Sequence, residues 1–146
     1  MMIDLRKFSG KWFEVARLDT DFQPNMTNVT AEYILNNNGT ITVINSGFID
    51  GHLKQIIGNA ITTEEDDLLK VSFYPGVYSD YKILAIDKNY QYALITGEDK
   101  KFLWILSRTP YINKDVYSKF IDIANKNEFD TTKLIINEQI NYKIWQ

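Results

Sequence analysis

The chain has 146 residues, 45% apolar and 24% charged, with a net charge of −3 and no cysteine. That length suits one domain burying roughly 70% of its unfolded surface without covalent staples. Disulfides, thiolate nucleophiles and cysteine-based zinc sites are excluded, and the acidic balance gives no polycationic footprint for nucleic acid. Aromatic residues reach 14%, with nine tyrosines and eight phenylalanines, the types that favour strands and line apolar sites.

Residues 1–6 lack the apolar stretch of a signal peptide. Either the protein stays where it is made, or an export segment has been replaced by a start Met. Gly10-Lys11-Trp12 then opens a series of short β-rich runs: 12–18, 29–35, 40–48, 55–61, 68–74, 81–86, 92–96 and 102–107. Their spacing predicts a barrel or sandwich. A longer irregular segment, 19–27, follows the first run, and Asn36-Asn37-Asn38-Gly39 is a strong hairpin signal. Most connections are too short for crossover helices, so neighbours run antiparallel. Eight such strands can close and remove both edges.

A helix is expected over 114–126. Asn113 is a fitting N-cap, Asp115 suits the positive end of the dipole, and Val116, Phe120, Ile123 and Ala124 form an apolar stripe. A short last strand is expected over 134–139, with a tail at 140–146. The expectation is thus all-β: one domain over 1–146, an eight-stranded antiparallel up-and-down β-barrel over about 12–108, a C-terminal α-helix packed outside, and a short ninth strand.

If the first strand rises from the base, the last returns to it, and Trp12 meets Arg108. A guanidinium over an indole gains a cation–π contact and has donors left for nearby carbonyls, while Gly10 lets the chain turn closely beneath the ring. These three are structural barrel-closure residues. Direct pairing sets Glu14 opposite Leu106, Ala16 opposite Trp104 and Leu18 opposite Phe102. Parity then places Glu14, Ala16, Val29, Ala31, Tyr33, Val43, Asn45, Val71, Phe73, Tyr81, Ile83, Tyr92, Leu94, Trp104 and Leu106 inside. The wall is apolar with a few polar groups, as small-molecule sites are. Ala16, Ala31 and Gly47 leave room. The alternative is an interior filled by side chains.

An inward Glu14 has two readings: a partner for a ligand's polar group, or a carboxylate satisfied by Tyr, Asn or water. Asn45 carries the same two. At the rim, Phe22, Pro24, Met26, Tyr74, Val77 and Tyr78 either form an apolar lip that touches a membrane or pack loops together. Tyr142, Ile144 and Trp145 either fold over the barrel, meet a second subunit in a homodimer, or stay disordered.

The chain resembles the lipocalin family, and within it the branch of bacterial outer-membrane, plant and apolipoprotein D lipocalins. The resemblance rests on Gly10-Lys11-Trp12-Phe13-Glu14-Val15-Ala16-Arg17, Asn28-Val29-Thr30-Ala31-Glu32-Tyr33, Val43-Ile44-Asn45 with Gly47, Leu69-Lys70-Val71-Ser72-Phe73, Leu103-Trp104-Ile105-Leu106-Ser107-Arg108-Thr109-Pro110 and Phe129-Asp130-Thr131. The family's middle Thr-Asp-Tyr turn reads Lys88-Asn89-Tyr90, and the lipid-modified cysteine of the bacterial branch is absent from this chain. The resemblance implies a non-catalytic carrier or store for a fatty acid or lysophospholipid, with a role in membrane lipid maintenance. It implies the periplasmic side of the outer membrane if an export segment was removed, and the cytoplasm if Met1 is the native start.

Two rival classes stay open: an enzyme acting on a lipid and a ligand-free interaction barrel. The only histidine, His52, lies in the rim segment Asp50-Gly51-His52, and a histidine-based triad or metal site would have to use it. No phosphate-binding glycine loop or H-E-x-x-H is present, Glu64–Asp67 reads as a solvated turn, and neither metal nor cofactor is expected. Sequons at Asn25, Asn28 and Asn38 matter only in a secreted eukaryotic protein.

Overall fold

The computed structural model describes residues 2–18, 26–137 and 139. A short helix α1 (Leu5–Phe8) leads into β1 (Gly10–Leu18), and seven strands follow: β2 (Met26–Leu35), β3 (Ile41–Ile49), β4 (His52–Thr62), β5 (Leu68–Tyr74), β6 (Val77–Ile86), β7 (Tyr92–Thr96) and β8 (Leu103–Ser107). Each pairs antiparallel with its neighbour in sequence, and β1 also pairs with β8. The eight strands therefore close into a ring, as their spacing predicts. Helix α2 (Lys114–Lys126) is capped by the Asn113 side chain, which accepts from the Asp115 and Val116 N–H groups. The ninth strand, β9 (Ile135–Ile136), pairs with β1 outside the barrel and is shorter than the stretch expected.

Two cores result. One fills the barrel's lower interior, with Trp12, Tyr33, Ile41, Val43, Ile83, Ala93, Ile95 and Leu106. The other lies between the barrel wall and α2, where Val15, Ala16, Leu94, Leu103 and Ile105 meet Ile112, Phe120, Ala124 and Phe129. Full burial of each of these leucines and isoleucines stabilises the fold by about 1.5–3 kcal/mol.

Bulges set which faces look inward. In β1 the pairing with β8 runs Glu14 with Leu106, then Ala16 with Ile105 and Arg17 with Trp104. Val15 is the extra residue, so Val15 and Ala16 both face the helix side and Arg17 turns inward. Ala16 is thus not an interior residue, and the pairings of Ala16 with Trp104 and Leu18 with Phe102 do not form. Tyr92 and Leu94 also face α2, because β7 pairs with β8 through Ala93 with Leu106 and Ile95 with Trp104. Ala93, Leu94 and Ile95 are all wholly buried, so β7 has no polar face, and the smaller Ala93 takes the crowded interior. A further bulge between Ile83 and Ala85 brings β6 into register with β7.

The upper half of β1 is distinctive. β2 pairs with its lower half, Gly10 to Phe13, while β9 lies against Ala16 and Arg17. Asn28, at φ +51°, breaks the β2–β3 ladder between Thr27 and Thr30. Polar side chains from the C-terminal segment close the seam. Asn137 Nδ2 donates to Glu14 Oε1 at 2.9 Å, and Gln139 Nε2 donates to the carbonyls of Glu14 and Val29 at 3.0 and 3.2 Å.

Candidate functional site

The barrel's two ends differ chemically. At the base, Asp4 caps α1 and delivers Phe8 into the ring's mouth. The Phe8 carbonyl accepts from Trp12 Nε1 at 2.8 Å, and its ring lies 5.3 Å from Trp12 and 5.2 Å from Tyr33. Arg108 Cζ lies 3.7 Å from the centre of the Trp12 ring. Its donors reach the carbonyls of Tyr90, Lys11, Lys7 and Phe8. Burial lowers its pKa and nearby Asp87 opposes that shift. Gly10 has φ +102°, and a Cβ there would stand 3.3 Å from Arg108 Nη1. Gly10, Trp12 and Arg108 therefore come together as one clamp with Phe8 as its plug.

Above the plug lies a cavity of about 660 Å³. Tyr33 and Tyr81 form its floor, where the Tyr81 hydroxyl donates to the Tyr33 hydroxyl at 2.7 Å. Burial pushes both phenols well above their ordinary range, and the Glu14 charge raises both further. The wall is apolar, built from Val29, Ala31, Val43, Ile56, Val71, Phe73, Trp104 and Leu106, with Asn45 as a polar point. Phe102 stacks on Trp104 with centroids 5.9 Å apart. Higher on β1, Arg17 Nε pairs with Glu14 Oε1 at 3.1 Å, both side chains largely buried. The rim carries Met26, Tyr74 and Val77 beside Lys54, Asp80, Glu98 and Asp99.

Eleven of the fifteen residues expected to line the interior reach this cavity: Glu14, Val29, Ala31, Tyr33, Val43, Asn45, Val71, Phe73, Tyr81, Trp104 and Leu106. Ile83 points inward but packs in the lower core, paired with Ile95, and does not line the cavity. Ala16, Tyr92 and Leu94 lie on the helix side. Of the rim residues, Met26, Tyr74 and Val77 line the cavity, while Tyr78 is 43% exposed and does not. Phe22, Pro24, Tyr142, Ile144 and Trp145 lie outside the described residues. Sequence reasoning missed Arg17, turned inward by the bulge, and the seam residues Asn137 and Gln139. It also missed α1, whose signal is Asp4 ahead of Leu5-Arg6-Lys7-Phe8. His52 is exposed at the start of β4. Among the described residues no group of three or more His, Asp or Glu converges as metal ligands.

Eight antiparallel strands closed on themselves, plugged at one end and hollow toward the other, define a calyx: a barrel built around an apolar cavity. Residues 3–139 match the lipocalin-like domain family, and the chain belongs to it. It is 40% identical over 141 residues to the outer membrane lipoprotein Blc of Vibrio cholerae, covering 93% of this chain and 82% of that one. It is 34% identical to temperature-induced lipocalin-1 of Arabidopsis thaliana, covering 90% of this chain and 77% of that one. Lobster apocrustacyanin A1 shares the fold with a TM-score of 0.76 at 19% identity, covering 92% of this chain and 78% of that one.

Proposed function

We propose that the protein binds and carries a fatty acid or lysophospholipid in the barrel cavity, without catalysis, as part of membrane lipid maintenance in the cell envelope. The observation that carries this reading is the cavity itself: about 660 Å³ of largely apolar wall, with its charged groups gathered on upper β1 and the rim. An acyl chain burying about 300 Å² there gains roughly 7 kcal/mol at ~25 cal/mol per Å², enough to outweigh the lower estimates of association cost, ~4 kcal/mol. The charged upper end suits a headgroup. Tyr74, Val77 and Tyr78 are 68%, 59% and 43% exposed near that end, which supports contact of the rim with a membrane surface as the ligand passes. The outer-membrane designation of the Vibrio cholerae relative supports the periplasmic side of that membrane as the place of action. The position of His52, outside the cavity lining, supports a binding role over a catalytic one.

Organic extraction of the purified protein followed by mass spectrometry tests the proposal. Acyl species in the extract at near-stoichiometric amounts are expected. Repeatedly empty extracts, with no uptake of an added fluorescent fatty acid, overturn it.

A further inference from the structure

We infer that the floor of the cavity receives an uncharged oxygen function carried at the far end of the acyl chain, so that the ligand class is a lipid hydroxylated or carrying a ketone near its methyl end. The inference rests on the carrier reading above and adds what the chain end must look like.

Tyr33 and Tyr81 bring two hydroxyl protons to the floor and share one hydrogen bond of 2.7 Å. Whichever hydroxyl donates in that bond, one O–H remains, and neither hydroxyl makes a second hydrogen bond among the described residues. Tyr33 is 5% exposed, and both tyrosines line the cavity. The remaining donor is therefore available to a ligand that reaches the floor. A plain methyl terminus strands that donor in an apolar surrounding, which costs binding energy. An oxygen at the same place accepts the bond.

Charge decides which oxygen. Both phenols have raised pKa values, from burial first, so they remain protonated donors across physiological pH. The Glu14 charge acts on both rings, so a second carboxylate at the floor meets repulsion as well as desolvation. A hydroxyl or ketone meets neither. The ionic headgroup belongs at the other end. Tyr33 pairs with Gly10 at the bottom of β1, whereas Arg17 stands near that strand's top, roughly 20 Å along at ~3.3 Å per residue. An acyl chain spans that interval with its two ends in different chemistry.

The test uses quenching or enhancement of intrinsic tryptophan fluorescence, since Trp104 lines the cavity. Hexadecanoate and its 2-, 12- and 16-hydroxy derivatives are titrated into the native protein and into the Tyr33→Phe/Tyr81→Phe double variant, which removes both hydroxyls and keeps both rings. In the native protein the 16-hydroxy acid is expected to bind better than its 2- and 12-hydroxy isomers. In the double variant the selectivity for the 16-hydroxy over the plain acid is expected to fall at least tenfold. Equal affinities across the native series overturn the inference, whether or not the double variant folds, while leaving the carrier reading in place. So does an unchanged selectivity in a folded double variant. Failure of every acid to bind the native protein overturns the carrier reading and this inference with it.

Discussion

Replacing Arg108 by Met keeps the stem's length and removes the charge and every donor. The guanidinium donates to four carbonyls, at 3.0 Å to Tyr90, 3.1 Å to Lys11, 2.7 Å to Lys7 and 3.2 Å to Phe8. The Lys7 and Lys11 bonds are exposed, and water replaces them at little cost. The other two are partly buried and contribute about 1 kcal/mol each. The contact over Trp12, a side chain with no exposed surface, adds about 1 kcal/mol. The expected loss is therefore about 3 kcal/mol, or ~6–12 °C in Tm for a chain of this size. Urea unfolding followed by circular dichroism measures it as a lower midpoint at constant slope. Affinity for an acyl ligand should be unchanged, because the clamp lies beneath the plug. A loss under about 1 kcal/mol refutes the claim that this arginine holds the base shut. A tenfold loss of affinity without a loss of stability makes it part of the binding site instead.

Leu94→Ala removes a wholly buried side chain from the layer beneath α2 and should cost about 2–5 kcal/mol. Ligand affinity should stay within twofold; a large loss would return Leu94 to the cavity wall. Glu128 lies at φ +67° just past α2, where its N–H reaches the Asn125 carbonyl and the Phe129 N–H reaches that of Ala124. This closure favours glycine, so Glu128→Gly should raise stability by about 0.5–1 kcal/mol in thermal melts; no gain would show that the glutamate is unstrained there. Glu14→Gln leaves an acceptor for Asn137 and removes the charge beside Arg17. It should strengthen binding of an anionic acyl ligand severalfold by calorimetry. Abolished binding would make Glu14 itself a ligand contact, and unchanged binding would separate Arg17 from the headgroup.

The ring of strands was legible because alternation and turn chemistry agree over most of the chain, most clearly at Asn36–Gly39, where Gly39 takes φ +85°. The pairing of Glu14 with Leu106 also followed from closure alone. Parity then failed one residue later. A bulge has no composition of its own, and Glu14-Val15-Ala16-Arg17 reads as ordinary alternation until the pairing with β8 skips Val15. Strand β7 failed for another reason. A strand covered by a barrel interior on one side and a helix on the other is apolar throughout, and hydrophobicity cannot say which of Ala93 and Leu94 looks inward. The hydroxyl pair of Tyr33 and Tyr81 joins residues 48 positions apart. Both were placed inside by parity, but their contact needs the barrel's curvature. Asn137 and Gln139 reach Glu14 from 123 and 125 residues away, a seam that no local pattern announces.

Strand β1 has one edge against β8, with Phe13 opposite Ser107 and Leu18 opposite Leu103. The ring therefore cannot shut until β8, the last of its eight strands, has left the ribosome. Until then β1 and the growing end both expose ladder groups, and the apolar face later covered by α2 stands bare. Closure across so long a loop is entropically slow, so the vulnerable interval in this protein's life falls before folding ends. Substitutions in β8 that leave the finished barrel as stable as before should still lower the yield of folded protein by prolonging that interval.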